Sequence, residues 1–153
     1  MFTIRESIPE DFKAIAEISG KDLGYECSEA TVLTELERYA SSEHDGMVLF
    51  SAVDTENGEV AGFIQAEDYK PVYFEKLLVN LLGLAVKSDF QGMGVGTKLL
   101  CAVEEWAEKR GACGVRVNSG AVRTAAHEFY RSRGYASEKT QLRFIKPLNG
   151  AKL

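Results

Sequence analysis

Three glycines at alternate positions, Gly92, Gly94 and Gly96, stand at the start of a segment with helical periodicity. Glycine costs a helix roughly 1 kcal/mol relative to alanine, so its repeated use here calls for a reason. Such a turn lets the main chain approach a ligand closely, and the first N–H groups of a helix lack an intrahelical acceptor and carry a partial positive charge. The pattern therefore indicates a phosphate-binding turn.

Two common phosphate motifs do not fit this turn. A P-loop needs lysine and then serine or threonine after its last glycine, whereas Gly96 is followed by Thr97 and then Lys98. A GxGxxG dinucleotide motif needs glycine or alanine where Thr97 or Leu99 stands. It also needs an acid about 20 residues further on, where the chain has Asn118. Nicotinamide binding is therefore disfavoured.

The hydrophobic pattern places the turn between a strand and a helix. Residues 77–86 are almost all apolar, which predicts a strand buried on both faces. Residues 95–110 carry an apolar stripe at helical spacing that ends before Gly111, and residues 114–118 predict a second short strand. Such a unit has parallel strands, so the turn lies at the carboxyl end of a strand, where open sheets bind ligands.

The first 40 residues predict a strand and two helices. A short strand covers residues 2–5, and the first helix follows with Ser7 and Glu10 in capping-box spacing. Residues 28–40 predict the second helix.

The middle and the end of the chain predict a hairpin, a helix and a closing strand. Glu56, Asn57 and Gly58 separate two β-rich runs, and Asn57 and Gly58 both tolerate the positive φ of a tight hairpin. Residues 123–133 predict a helix that ends at Gly134. Alternation over residues 135–148 predicts a final strand or hairpin.

Length and composition bound the class of protein. With 153 residues and 45% hydrophobic content, we expect one domain over residues 1–148 and a polar tail over 149–153. The net charge of −5 speaks against a nucleic-acid partner. No run approaches the ~20 apolar residues of a membrane span, and the acidic start lacks the apolar run of a signal peptide, so we expect a cytoplasmic protein without a membrane partner.

The three cysteines predict neither disulfides nor a metal site. Cys27, Cys101 and Cys113 are odd in number and widely separated. We expect each to be a small buried apolar residue. His127 has no partners at metal-ligand spacing, so no metal is expected.

The hexapeptide Gln91–Gly96 fits the pattern Gln/Arg-x-x-Gly-x-Gly/Ala. Preceded by LGLAVKSDF and followed by TKLL, it closely resembles the acetyl-CoA-binding signature of the GNAT N-acetyltransferase superfamily. The predicted order of helices and strands is also similar to that superfamily. The resemblance implies a single-domain α/β (α+β) fold: a mixed, mostly antiparallel central sheet with a splayed parallel strand pair, flanked by about four helices.

The resemblance also implies how acetyl-CoA is held and how the thiol leaves. The pantetheine arm would pair with one strand, and the glycine turn would hold the pyrophosphate. In AHEFYRSRGY, Tyr130 matches a tyrosine that donates a proton to the departing thiolate. Arg123 stands where many members have asparagine, and Asn118 could make that contact instead. The implied cofactor residues are Leu84, Ala85, Val86, Gln91, Gly92, Met93, Gly94, Val95, Gly96, Thr97, Asn118 and Tyr130.

Transfer to an amine also requires the amine to be neutral. An ammonium with pKa near ~10.4 pays roughly 4.6 kcal/mol to deprotonate at pH 7. The candidates for a base are Glu67 and Glu75, with Asn80 as a residue that could position a water. A chain of water molecules is an open alternative.

We therefore expect an acyltransferase in which a primary amine attacks the thioester of acetyl-CoA directly, without an acetyl-enzyme. The amide near Ala85 would polarise the carbonyl. Acids in two segments, 20–29 and 67–76, favour a small cationic amine. A protein or peptide amine, and a non-catalytic CoA-binding regulatory domain, stay open as alternatives. The resemblance also allows a homodimer.

Overall fold

A mixed five-stranded sheet organises the first part of the chain. The computed structural model describes residues 1–41 and 45–153, which form two compact units, Met1–Asn118 and Ser119–Leu153. The strands are β1 Phe2–Glu6, β2 Met47–Asp54, β3 Val60–Tyr69, β4 Leu78–Val86 and β5 Val115–Val117. The helices are α1 Phe12–Lys21, α2 Glu29–Ala40, α3 Val95–Lys109 and α4 Thr124–Ser132.

The strand order is β1-β2-β3-β4-β5. All neighbours are antiparallel except β4 and β5, which are parallel. With the four α-helices of the described ranges, this sheet confirms the predicted fold class and the parallel pair around α3. The boundary expected at residue 148 stays a prediction.

Helices cover both faces of the sheet. Phe63 belongs to a buried cluster with residues of α1 and α2, among them Ile18 and Leu36. Its neighbour Gly62 points to the opposite face, where a Cβ would lie 3.3 Å from Leu99 of α3 and 2.7 Å from a carbonyl oxygen of β4. Glycine is therefore required at this position, because a Cβ would clash with the main chain of β4, and Leu99 of α3 leaves little room on the same side.

The first helix begins differently from the prediction. A 3-10 turn, Pro9–Asp11, precedes α1, and Asp11 Oδ2 accepts a hydrogen bond from the Ile8 N–H at 3.1 Å. Ser7 instead shares a 2.7 Å hydrogen bond with Ser51 of β2. The predicted capping box of Ser7 and Glu10 is therefore wrong, because Ser7 is buried against the sheet.

The β2–β3 hairpin is confirmed, but its turn is not the predicted one. Residues 55–59 connect the strands, and the Gly58 N–H donates to the main-chain carbonyl oxygen of Asp54 at 2.8 Å. Gly58 has a φ of +75°, whereas Asn57 does not have a positive φ. This longer loop therefore uses a left-handed conformation at Gly58 and not at Asn57, although both residues tolerate it.

Strand β4 is not buried on both faces. Gln65 pairs with Gly83 and Ala66 pairs with Leu81, so Leu82 is an extra residue in the ladder, a β-bulge. Leu82 is 47% exposed. The continuous apolar run therefore predicted the strand correctly and its burial wrongly.

The cysteines are also placed differently from the prediction. All three of Cys27, Cys101 and Cys113 are exposed, so their expected burial is wrong. On α3 the buried stripe includes Leu99 and Val103. Cys101 lies midway between them in sequence and so on the outer face.

The second unit contains α4 and the C-terminal segment. Gly134, with a φ of +92°, follows the helix. The Tyr135 N–H donates to the main-chain carbonyl oxygen of Tyr130 at 3.0 Å, which confirms the predicted helix end. Residues 135–148 form no strand, so the predicted closing strand is wrong. Alternation alone does not stabilise a strand, and residues 119–153 supply no second strand for it to pair with.

In the described ranges no helix combines the length and the apolar character needed to cross a bilayer.

Candidate acetyl-CoA and acceptor site

Strand β4 presents an unpaired edge. Strand β5 pairs with β4 only at Val79, Asn80 and Leu81, whereas β4 continues to Val86. Over residues 82–86, the main-chain groups that point away from β3 therefore have no strand partner among the described residues of the first unit. Leu84, Ala85 and Val86, predicted to bind the pantetheine arm, all lie on this part of β4.

The glycine turn follows directly from this edge. Gln91 Nε2 donates a 3.0 Å hydrogen bond to the Val86 oxygen, which ties the turn to the end of β4. Gly92 and Gly94 have φ values of +78° and +83°, and a Cβ on either would meet nothing within 4 Å. Gly96 lies inside α3 without a positive φ. Two of the three glycines are thus needed for the turn, and the space beside them is open.

The N-terminus of α3 opens at this turn. The Lys98 N–H donates to the Gly94 oxygen at 3.1 Å. The N–H groups of Val95, Gly96 and Thr97 are those for which a helix has no internal acceptor. Main-chain donors at the positive end of the helix dipole suit a phosphate.

The turn is anchored to the rest of the first unit. The Ser88 N–H donates to Asp22 Oδ1 at 3.1 Å, and Lys87 forms an ion pair with Glu59. The Phe90 ring packs edge-on against Phe2, with centroids 5.6 Å apart. These contacts fix the turn before any ligand arrives, and they occupy Asp22, one of the acids expected near the acceptor.

A polar row crosses the sheet on the face covered elsewhere by α1 and α2. Glu67 of β3 is opposite Asn80 of β4, and Asn80 is in register with Arg116 of β5. Residues opposite each other share a face, and Glu67 shares the face of Phe63, four residues earlier. Arg116 Nη1 donates to Asn80 Oδ1 at 3.0 Å. Two candidates for base chemistry are thus direct neighbours.

Arg116 and Tyr69 were missed by the sequence analysis. The Arg116 guanidinium lies 4.2 Å from the centre of the Tyr69 ring, and its Nη2 donates to Asn118 Oδ1 at 3.4 Å. The available signal was the period of two that puts Arg116 on the same side of the strand as Asn118. Asn118, predicted to contact the cofactor, therefore belongs to the end of this row.

The remaining acids lie outside the row. Glu75 is exposed in the loop before β4. Asp68 forms an ion pair with Arg110, which directly follows α3 on the other face of the sheet. Within the described residues, the side chain of Glu67 has neither an ion pair nor a hydrogen bond, so its carboxylate is available.

Tyr130 and His127 lie on α4, in the second unit. Burial raises the pKa of the Tyr130 hydroxyl, and the charge of Arg123 acts in the opposite direction. The ring packs against Phe129 and Tyr135, with centroids 5.3 and 5.6 Å away. His127 Nε2 lies 2.9 Å from the Gly120 oxygen. Tyr130 therefore keeps its proton at neutral pH, as a proton donor must.

The model of the acetyltransferase (GNAT) family matches residues 12–135. The chain belongs to the GNAT family. The predicted resemblance is therefore confirmed, and the protein is an acyltransferase. Members of the GNAT family use acetyl-CoA. The open edge of β4 and the open space beside Gly92 and Gly94 fit this cosubstrate.

Three similar proteins illustrate the relationship. The aminoglycoside N(6')-acetyltransferase type 1 of Stenotrophomonas maltophilia is 30% identical over 149 residues, which are 95% of this GNAT protein and 94% of the relative. The structure of a transcriptional regulator from Bacillus halodurans C-125 has a TM-score of 0.82 at 21% identity. The match covers 95% of this chain and 100% of the regulator's chain. The structure of AAC(6')-Iy in complex with a bisubstrate analogue, CoA-S-monomethyl-acetylneamine, has a TM-score of 0.79 at 18% identity. The match covers 97% of this chain and 99% of the AAC(6')-Iy chain.

Across residues 1–41 and 45–153, no group of three or more His, Cys, Asp or Glu side chains is arranged to hold a metal ion.

Proposed function

We propose that this protein transfers the acetyl group of acetyl-CoA to the primary amine of a small molecule that is cationic at neutral pH, by direct attack of the amine on the thioester. The observation that carries the proposal is the continuity of the unpaired edge of β4 with the glycine turn. Pantetheine amides can pair with a free strand edge, and a pyrophosphate can bind the main-chain donors that follow it.

The cosubstrate would be held by main-chain groups from two segments. Leu84, Ala85 and Val86 would pair with the pantetheine arm, and the amide near Ala85 would donate to the thioester oxygen. The residues from Gln91 to Thr97 would bind the diphosphate. Asn118 would contact the arm in place of the asparagine that Arg123 replaces.

Deprotonation of the amine would take place at the polar row. Glu67 has a free carboxylate beside Asn80, and an amine that enters over this face could lose its proton to Glu67, directly or through a water that Asn80 holds. Glu75 is the remaining candidate base. Tyr130 would supply a proton to the departing thiolate.

A small amine is favoured by the curated relative. The relative from Stenotrophomonas maltophilia is named for acetylating an aminoglycoside amine and matches nearly the full length of both chains. The free carboxylate of Glu67 would attract the ammonium form of such an acceptor.

Thiol release tests the proposal. Purified protein would be incubated with acetyl-CoA and a panel of polyamines, aminoglycosides, amino acids, amino sugars and lysine peptides, with product masses read by mass spectrometry. We expect thiol release with an N-acetylated small amine and no acetyl adduct on the protein. Saturable binding of CoA in calorimetry together with no product from any amine would contradict the proposed reaction, and acetylation of peptides alone would contradict the small acceptor.

A further inference from the structure

We propose that Arg116 binds an anionic group of the acceptor, so that the preferred substrate carries a carboxylate, phosphonate or phosphate beside its amine. The inference rests on the proposed acetyl transfer to a small amine, and it replaces the purely cationic acceptor by one in which the ammonium group is accompanied by an anionic group. It assigns to Arg116 a role in specificity, separate from the candidate base Glu67.

The first observation is the set of groups that hold Arg116. Its guanidinium lies over the Tyr69 ring at 4.2 Å, and its two terminal nitrogens donate to the side-chain oxygens of Asn80 and Asn118. All three partners are uncharged. Within the described residues no carboxylate lies within 4.0 Å of Arg116. The positive charge is therefore oriented without being neutralised.

The second observation is the carboxylate that Arg116 does not use. Arg116 reaches across β4 to Tyr69, which lies two residues from Glu67 on the same face of β3. A flexible cation so placed would be expected to pair with Glu67, yet no such ion pair forms. The ring and the two amide oxygens hold the guanidinium away from it. The two opposite charges therefore remain separate on one face.

The third observation is the remaining bonding capacity of the guanidinium. Arginine has five N–H donors in a planar fork, and Asn80 and Asn118 use two of them. The others can bind two oxygens of one carboxylate or phosphonate, the geometry that arginine recognises and lysine does not. Arg116 is only partly buried, so an acceptor can reach it.

Together these observations describe a face that complements a zwitterion. The main chains of Glu67 and Arg116 are two strands apart, about 10 Å, and both side chains are long. An amine directed to Glu67 by an anion bound at Arg116 would be oriented for deprotonation. A polycation without an anionic group would place a positive charge next to Arg116 and would be disfavoured.

Matched acceptor pairs test the inference. Each pair differs only in the anionic group: 2-aminoethylphosphonate and ethanolamine, β-alanine and its amide, glucosamine 6-phosphate and glucosamine. We expect wild-type kcat/KM to favour the anionic member of at least one pair by about 10- to 100-fold. The pair with the largest ratio distinguishes a phosphonate or phosphate site from a carboxylate site. Equal turnover within every pair, or better turnover of diamines, would overturn the inference and leave the acetyltransfer reaction standing.

Variants of Arg116 locate the effect. Arg116→Gln should raise the KM of the anionic acceptor about 10- to 100-fold, leave the KM of acetyl-CoA unchanged and remove the preference within the pair. Arg116→Lys should recover part of the preference for the anionic acceptor. Lys109→Gln removes an exposed positive charge at the end of α3 and should change nothing. A rise in the KM of acetyl-CoA alone in Arg116→Gln would assign Arg116 to the cosubstrate and overturn the inference.

A binding measurement separates this inference from the reaction itself. With CoA bound, calorimetry of β-alanine or 2-aminoethylphosphonate should show binding that Arg116→Gln abolishes, even if no product forms. Binding without turnover would contradict the proposed function only. Turnover of amines with no anion dependence would contradict this inference only.

Discussion

Gln91 Nε2 and the Val86 oxygen lie 3.0 Å apart, and this hydrogen bond joins the glycine turn to the end of the open strand edge. The two segments predicted to hold acetyl-CoA are therefore fixed relative to each other by a residue of the signature itself. Gln91 is exposed, so it can make this contact without being part of the core.

Gly92→Ala should weaken acetyl-CoA binding. Alanine at a φ of +78° costs about 1–2 kcal/mol, and relief of that strain would move the turn, so the KM of acetyl-CoA should rise about tenfold or more. Gly58→Ala is a matched control, because Gly58 has a φ of +75° with equally open surroundings in the β2–β3 loop. It should lower the thermal midpoint similarly and leave the KM unchanged. Equal KM values in the two variants would contradict the assignment of the turn.

Glu67→Gln should identify the base. Loss of a positioned base lowers kcat by about 10²-fold or more, and the remaining rate should increase with pH as the fraction of free amine increases. Glu75→Gln makes the same change in an exposed loop and should have little effect. The reverse pattern would assign the base to Glu75, and two inert variants would point to a water chain.

Tyr130→Phe should lower kcat by about 10²-fold with little change in either KM. Because burial raises the pKa of Tyr130, the hydroxyl stays protonated until the pH exceeds about 10. The pH profile of the wild type should therefore show no loss of this acid below that value. Tyr73→Phe, at a side chain 79% exposed, is the control. An active Tyr130→Phe enzyme would remove the tyrosine from the mechanism.

Asp11 should make the stability of the protein depend on pH. Burial by itself would raise the pKa of Asp11, but hydrogen bonds from Arg5, the Ile8 N–H and Ser51 outweigh it and hold the pKa below the ordinary value. A depressed pKa contributes stability that is fully present above the unfolded value, about 3.9. This contribution is lost as the pH falls through the lower, folded value. Wild-type stability should therefore decline below about pH 4.

Asp11→Asn tests this relationship. At pH 7 it should reduce the free energy of unfolding by about 2 kcal/mol. This value lies in the lower half of the roughly 1.5–3 kcal/mol that a hydrogen bond to a charged group contributes. The reason is that Arg5 is 36% exposed, so water screens its charge. The variant should also lose much of the decline below pH 4 in urea titrations. Glu105→Gln, on the exposed side of α3, should keep the wild-type free energy of unfolding at pH 7 and the wild-type decline below pH 4. A variant with the wild-type stability and pH dependence would contradict the assignment.

The three cysteines should not take part in the reaction. They are exposed, so burial does not exclude an acetyl-enzyme, and the question needs an experiment. A variant with Cys27, Cys101 and Cys113 all changed to serine should keep the wild-type kcat. Loss of turnover, or an acetyl-protein adduct in intact-mass spectra of the wild type, would contradict direct attack.

Local patterns predicted what depends on local sequence. The glycine turn follows from the spacing of Gly92 and Gly94 before a helical stripe, and the parallel pairing of β4 with β5 follows from the handedness of a strand-helix-strand unit. The order of the elements and the fold class followed in the same way.

The rest depends on contacts between distant segments. The bulge at Leu82 arises from the register of β4 on β3, and the row of Asn80 and Arg116 arises from the register of β5 on β4. Ser7 does not cap the first helix as predicted, because its hydroxyl is hydrogen-bonded to Ser51, which is distant in sequence. No period within one segment reports such pairings, so the sequence predicted Glu67 and Asn80 as separate candidates and missed Arg116.

The extra residue at Leu82 decides what faces the acceptor. Glu67 and Phe63 are separated by an even number of positions on β3, whereas their partners Asn80 and Ala85 are separated by an odd number on β4. Only the bulge lets both partners point to one side. Removal of Leu82 would leave a regular ladder with Asn80 and Ala85 still on one side, whereas the same length of strand without a bulge would turn Asn80 inward toward α3 or displace Ala85 from the core. A chimaera that borrows this strand at its full length must therefore keep the bulge as well as the polar side chain.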